Sequence, residues 1–83
     1  MVSYSSIITN STWVQISNSE DYVLQSKSKH ADRVLLVKAS ATEPTTTDGA
    51  IELKAGEVIA STIFSGVIWA KALNADVLIA YAK

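Results

Sequence analysis

The only imidazole in this 83-residue sequence belongs to His30, which lies in the polar segment SKSKHADR at 26–33. A serine or threonine nucleophile needs such a base beside it, held in place by a third group. Serine and threonine are plentiful, but the segment around His30 has the composition of a polar turn between two strands. We therefore interpret His30 as a solvated loop residue, and the sequence predicts no catalytic residue.

Paired carboxylates are the second arrangement that could do chemistry here. A glycosidase would need two of them facing each other across a cleft. Most of the eight lie at turns or strand ends, and a domain this small has little room to shield a pair from water. The acidic residues are Glu20, Asp21, Asp32, Glu43, Asp48, Glu52, Glu57 and Asp76.

Metal and cofactor sites find equally little support. The absence of cysteine and the single histidine argue against a structural zinc cluster. The segment 43–49 lacks the alternating ligands of a calcium loop, and Asp48-Gly49 is better explained as a turn. Each of the three glycines falls at a turn signal, so none is left for a phosphate-binding loop. We predict a non-enzymatic protein with no metal ion and no cofactor.

One basic cluster is present, formed by Lys27, Lys29, His30 and Arg33. Such a cluster can contact an acidic protein surface or a phosphate backbone. Asp32 dilutes it and no aromatic residue interleaves, which favours a solvated hairpin tip. The formal net charge of −1 gives no overall attraction to nucleic acid, and we expect no nucleic-acid partner.

Membrane and secretion signals are not evident in the sequence. No lysine or arginine precedes Lys27, so the basic start of a signal peptide is missing. The longest aliphatic run, at 34–37, is far shorter than the ~20 residues of a membrane-spanning helix. We expect no association with a membrane.

Large apolar side chains are the candidates for contact with a ligand or a partner. Trp13 and Trp69 have the chemistry to stack on a sugar ring or to anchor a protein interface, although core packing is the alternative for at least one of them. The further candidates, Ile79 and Tyr81, belong to the apolar segment that closes the sequence.

Frequent turn signals divide the chain into short pieces, a pattern typical of β-sandwiches and barrels. We predict an all-β fold: a small antiparallel β-sandwich or a jelly-roll-like barrel of about seven to eight short strands. Residues 1–10 are expected to form an N-terminal arm or an edge strand, and residues 11–83 a single β domain.

Three of the predicted strands carry specific expectations. The strand at 12–16 places Trp13 on one face, with Val14 and Ile16 on the other. The strand at 33–40 is apolar on both faces, as in the centre of a sheet. The segment 57–64 alternates throughout its length, so a strand is expected to extend to Phe64.

The apolar segment at 68–83, IWAKALNADVLIAYAK, raises a choice between helix and strand. A two-turn helix at 67–73 is a rival, because alanine, lysine and leucine favour helices. Period-two alternation at 76–82, after a turn-like Asn74-Ala75-Asp76, favours two antiparallel strands. Both faces of the last strand are apolar, so we expect one to cover the core and the other to be covered by a second sheet or a neighbouring copy.

The order of these features resembles a group of very short structural proteins of tailed bacteriophages. The similarity covers residues 9–82. It begins with TNSTWVQIS and VLQS, continues through a strand at 33–39 and the loop ATEPTTTDGAIEL, and includes an L-x-x-G-E-x-I turn at 53–59. It ends with GVIWAKA and the terminal strand at 76–82.

The resemblance implies a virion protein that is assembled in the bacterial cytoplasm and carries no catalytic residues. Such a protein would decorate or stabilise the capsid or the tail through protein–protein contacts. It would form a homo-oligomer, commonly a homotrimer, and would bind other capsid or tail proteins.

A carbohydrate-binding module for attachment to the host surface is the alternative function. It requires Trp13 or Trp69 to be exposed to a host glycan. A small hydrolase is a remote third possibility, because it would need a cleft that brings together His30 or two carboxylates.

Overall fold

Eight short β-strands and no helix make up the fold, in a computed structural model that describes residues 1–83. The predicted all-β class and the predicted number of strands are confirmed. The strands are β1 Ser3–Ile8, β2 Val14–Asn18, β3 Val23–Ser26, β4 Leu35–Ala39, β5 Ile51–Leu53, β6 Val58–Ala60, β7 Val67–Ala72 and β8 Val77–Ala82.

The strands form two four-stranded antiparallel sheets, so the predicted β-sandwich is confirmed. The first sheet has the order β1-β8-β3-β6 and the second has the order β2-β7-β4-β5. Strand pairs β1–β8, β2–β7, β3–β6 and β4–β5 are nested within one another along the chain. This nested pairing is the arrangement of a jelly roll, in which a long antiparallel ribbon folds over on itself.

The core lies between the two sheets and takes the inward-facing side chains of both. Strand β7 shows the period-two pattern plainly, since Ile68, Ala70 and Ala72 are fully buried and alternate with half-buried residues. The remaining members of the core cluster are Ile8, Ile16, Tyr22, Leu24, Leu35, Val37, Leu53, Ile59, Val77 and Ile79.

Strand β4 is an interior strand of the second sheet, as the apolar run at 33–40 predicts. It lies between β7 and β5, and Leu35 and Val37 point into the core. Leu36 belongs to the opposite face and yet is only 4% exposed. The outer surface of the second sheet is therefore closed to solvent at this position within the single chain.

The segment at 67–82 forms two strands, but they do not pair with each other as a hairpin. β7 lies in the second sheet and β8 lies in the first, between β1 and β3. The connection between them bonds to neighbouring segments, because Leu73 N–H donates to Val34 C=O and the Asn10 side chain donates to Asn74 C=O. The local sequence has the layout of a hairpin, whereas the chain crosses from one sheet to the other.

The strand predicted at 57–64 is shorter than expected, because β6 ends at Ala60. The backbone N–H groups of Ile63 and Phe64 both donate to Ala60 C=O, which closes a turn. The Tyr22 hydroxyl donates to Phe64 C=O and holds that turn against the core. Ile63 consequently lies in solvent, 82% exposed.

Strand β2 begins at Val14, two residues later than predicted, and it is interrupted by a bulge. The register with β7 shifts between Gln15 and Ser17. Ile16 and Ser17 are therefore both buried, although they are adjacent in sequence. Trp13 precedes the strand and lies outside the core cluster, whereas Val14 and Ile16 contact the core, so the two sets lie apart as expected.

Candidate interaction surface

The outward side of the first sheet presents a surface without any charged side chain, which we call the uncharged face. Successive side chains of a strand point to opposite sides of its sheet. Because Leu24, Ile59, Val77 and Ile79 point into the core, the residues that alternate with them point outward and form this face. The uncharged face consists of Ser3, Ser5, Ile7, Val23, Gln25, Val58, Ala60, Leu78, Ala80 and Ala82.

Strand register places these residues in rows across the sheet. Ser3, Ala82, Val23 and Ala60 form one row, and the next row is Ser5, Ala80, Gln25 and Val58. Ile7 pairs with Leu78 in a third row. Serine and alanine therefore make up most of the first two rows, Val23 and Val58 lie among them, and Ile7 and Leu78 lie together at one end of the face.

The aliphatic side chains of the uncharged face are open to solvent in the single chain. Ile7 is 62% exposed, Val58 55%, Leu78 46% and Val23 40%. Clustered exposure of this kind, without interleaved charge, is typical of surfaces that meet another protein.

A cavity of about 300 Å³ lies at one end of the uncharged face. Ile7 and Leu78 form its apolar wall, and Lys27, Lys29, His30 and Arg33 stand around it. Arg33 is fixed in place because its Nη1 donates to Asp76 C=O at 2.6 Å. The basic cluster is thus not the tip of a hairpin, since 27–34 connects β3 in the first sheet to β4 in the second.

The same cavity contains Ser28, His30 and Asp76, the three residue types of a hydrolytic triad. Their contacts are not those of a triad. Ser28 Oγ accepts from His30 N–H at 3.2 Å and interacts with His30 C=O at 3.4 Å, so its partners are backbone atoms. No hydrogen bond joins the imidazole to either side chain, and the contacts that activate a serine are missing.

The acidic residues form no cluster that could bind a metal ion. No group of three or more His, Asp or Glu side chains is placed to hold a metal ion. Glu20 is instead bound within its own turn, where it accepts Asn18 N–H at 3.1 Å and lies 3.4 Å from Lys83 Nζ. The hydrogen bond from Asn18, supported by the Lys83 ammonium, lowers the pKa of Glu20.

Both tryptophans lie on the outer side of the second sheet and outside the core cluster. Trp13 is only 9% exposed, and Lys71 Nζ stands 5.8 Å from the centre of its ring. Trp69 is half-buried, and its indole N–H donates to Ser40 C=O at 2.9 Å. Trp69 therefore has more open ring surface for a sugar than Trp13 has.

The two candidate residues of β8 occupy different environments from the tryptophans. Ile79 is fully buried in the core, so its outward neighbours Leu78 and Ala80 are the residues that β8 offers to a partner. Tyr81 packs against the core and stacks on Tyr4, with ring centres 5.1 Å apart.

Sequence reasoning did not single out Ile7, Val23, Val58 or Leu78. The signal that identifies them is the absence of charge from both alternating sets of residues in β1, β3, β6 and β8. One set must face the core, and an uncharged second set indicates a surface that avoids lysine and glutamate. The surface can be identified only once these four strands are known to lie in one sheet.

Comparisons with protein-family models, with curated proteins and with solved structures find no match to this chain. The chain forms no helix long and apolar enough to cross a lipid bilayer.

Proposed function

We propose that this chain is a non-enzymatic structural protein of a bacteriophage virion, which decorates or stabilises the capsid or the tail. It acts by binding copies of itself and other virion proteins. The observation that carries the proposal is the uncharged face of the first sheet. Covering its exposed aliphatic residues with another protein is favourable in free energy, because burial removes apolar area from water.

The surroundings of the face define the chemistry of the partner. The cavity at one end joins the aliphatic wall of Ile7 and Leu78 to the cations Lys27, Lys29 and Arg33. A partner that presents apolar side chains to the face and carboxylates to this end would complement both. This chemistry favours a protein partner over a neutral sugar.

Two further considerations support a virion role. Jelly-roll sandwiches are common in viral capsid domains, although lectin domains share the architecture and a fold alone does not determine function. The resemblance to short structural proteins of tailed phages favours the capsid or tail over the lectin alternative. A homotrimer and assembly in the bacterial cytoplasm are parts of the same proposal.

The test combines sedimentation velocity with cosedimentation on assembled capsids and tails. The protein is expected at a multiple of 8.9 kDa and bound to one of the two particles. Leu78→Glu places a charge on the uncharged face and is expected to weaken both associations. Ile63→Glu is the matched control, because Ile63 is an exposed isoleucine in the turn after β6 and is not one of the residues that form that face.

A monomer at micromolar concentration that binds neither particle would overturn the proposal. Equal behaviour of the two glutamate variants would also count against it, since the face would then have no special role. Binding to a glycan array that is lost in Trp69→Ala would replace it with the carbohydrate-binding alternative.

A further inference from the structure

A sandwich of two open sheets has four edge strands, and in this chain three of them are protected against pairing. β5 and β6 are only three residues long. β2 carries a bulge, and the backbone N–H of Asn18 at its end is already bound by the Glu20 carboxylate. Short strands, bulges and nearby charges are the usual means by which proteins block an edge.

The fourth edge, β1, has none of these protections. It is six residues long and pairs with β8 in six consecutive positions without a bulge. It contains no proline, and no charged side chain occurs in the sequence before Glu20. An edge of this length and composition is a template for another strand.

Hydrogen bonding to β8 determines which backbone groups of β1 are free. Val2 and Lys83 exchange both of their backbone hydrogen bonds, at 2.9 and 3.1 Å. Because inward and outward groups alternate in an antiparallel ladder, Tyr4, Ser6 and Ile8 also bond to β8. The N–H and C=O groups of Ser3, Ser5 and Ile7 therefore point to the open side.

The open edge of β1 stops at Thr9. The C=O of this residue is not free, because it accepts a hydrogen bond from Ala72 N–H in the second sheet. No other hydrogen bond in the chain reaches the outward groups of Ser3, Ser5 and Ile7. These groups are available to a second strand, and their spacing fixes how that strand must align.

We propose that β1 pairs antiparallel with β1 of a second copy about a twofold axis at Ser5. In this register Ser5 faces Ser5 of the other copy, and Ser3 faces Ile7 in both directions. Every free group of the edge then forms a hydrogen bond, because all these residues meet as hydrogen-bonded pairs. No like charges are brought together, since the strand has none.

The strand that pairs with β1 belongs to a second copy of the chain, because the chain offers only one open edge. Joining different edges of successive copies would build a ring or a filament, but no second open edge exists to receive β1. Pairing of β1 with itself must therefore close as a twofold dimer. The homotrimer of the proposed function has to use a different surface, for which the uncharged face is available.

The dimer deepens the proposed function, on whose self-association it rests. It joins the two first sheets into one sheet of eight strands, and the two uncharged faces become one continuous surface. Ser3, Ser5 and Ile7 lie at the seam, between the β8 strands of the two copies. Partner proteins would then meet twice the area that a single chain presents.

The central experiment uses Ser5→Pro on the full chain, followed by sedimentation velocity over a range of concentrations. Proline removes an N–H that points to the open edge and leaves the bonds to β8 intact. We expect wild type at an even multiple of 8.9 kDa, and a dissociation constant for edge pairing about a hundredfold higher for Ser5→Pro, since two central hydrogen bonds are lost. Ser5→Thr keeps the N–H and is the matched control.

A charge pair provides a second test that does not depend on proline. Ser5→Lys and Ser5→Glu each place like charges opposite one another at the axis, so neither variant alone is expected to pair through β1. An equal mixture is expected to dimerise, because lysine then faces glutamate. Mixed dimers form only if position 5 lies near its counterpart.

Amide hydrogen exchange locates the interface. In the wild-type dimer, the N–H groups of Ser5 and Ile7 are expected to exchange slowly, and dilution or Ser5→Pro is expected to expose them. Fast exchange at these amides, with an oligomer that Ser5→Pro does not change, would overturn edge pairing and leave self-association through the uncharged face. A dimer that binds neither capsid nor tail would support edge pairing and refute the virion function.

Discussion

The hydroxyl of Tyr22 donates a hydrogen bond to the backbone carbonyl of Phe64, a residue 42 positions away in the sequence. Tyr22 is fully buried just before β3, and Phe64 follows the turn after β6. This bond holds the end of the first sheet against the core. It also explains why the alternating pattern at 57–64 does not continue as a strand.

Replacement of Tyr22 by phenylalanine tests that bond. Tyr22→Phe keeps the ring in the core but leaves Phe64 C=O without its donor. We expect the free energy of unfolding to fall by about 1–2 kcal/mol, measured by urea denaturation. Tyr4→Phe is the control, because the Tyr4 hydroxyl makes no hydrogen bond within the chain; an equal loss in both variants would contradict the assignment.

Alkaline pH should weaken the fold through the same residue. Burial raises the pKa of Tyr22 above its ordinary value of 10.0, so its phenol ionises more readily in the unfolded chain. The contribution of the neutral Tyr22 phenol to the free energy of unfolding is complete below pH 10 and is lost as the pH rises further. The free energy of unfolding then falls by at most about 1.4 kcal/mol per pH unit. Thermal melts should show a smaller decline above pH 10 for Tyr22→Phe. Identical declines in both proteins would refute the prediction.

Two fully buried serines should respond in opposite ways to replacement by alanine. Ser17 Oγ donates to Glu20 C=O and accepts from Glu20 N–H, whereas Ser26 Oγ has no partner. We expect Ser17→Ala to cost about 1–2 kcal/mol and Ser26→Ala to be neutral or stabilising. Denaturation midpoints measure both. A clear loss of stability in Ser26→Ala would indicate an unrecognised partner for its hydroxyl.

The emission of Trp13 should report the covering of its ring by Lys71. In a Trp69→Phe background, Lys71→Ala is expected to shift the fluorescence to the red and to cost about 0.5–1 kcal/mol. Lys38→Ala is the matched control, since Lys38 Nζ bonds to Thr46 C=O and Oγ1 rather than to that ring. An unchanged spectrum in Lys71→Ala would show that other atoms cover Trp13.

Local pattern was sufficient to predict the strands but not their partners. The alternation at 76–82 identifies β8, yet nothing near it indicates that β8 pairs with β1 and β3 rather than with β7. That choice depends on contacts between residues far apart in sequence. The same limit applies to the question of which side of β8 faces the core. Val77/Ile79 and Leu78/Ala80 are both apolar, so only the arrangement of the neighbouring strands determines which set is buried.

The candidate surface shows this limit most clearly. Trp13 and Trp69 are candidates from the sequence because aromatic residues often anchor interfaces. In the folded chain both are partly covered by other groups of the same chain. The uncharged face is made of ordinary residues such as Ile7 and Val58. Its character comes from their position side by side, which the sequence alone does not reveal.

The nested order of the strands also determines when each of them can fold. β4 and β5 are the only sheet neighbours that follow one another in the chain, so the shortest loop to close is theirs, and each outer pair must close a longer one. During synthesis β1 emerges before the other seven strands and must wait for β8, the last of the eight, before it has a partner. The segment with the least protection against pairing is therefore free the longest, so nascent copies on neighbouring ribosomes have time to meet through it.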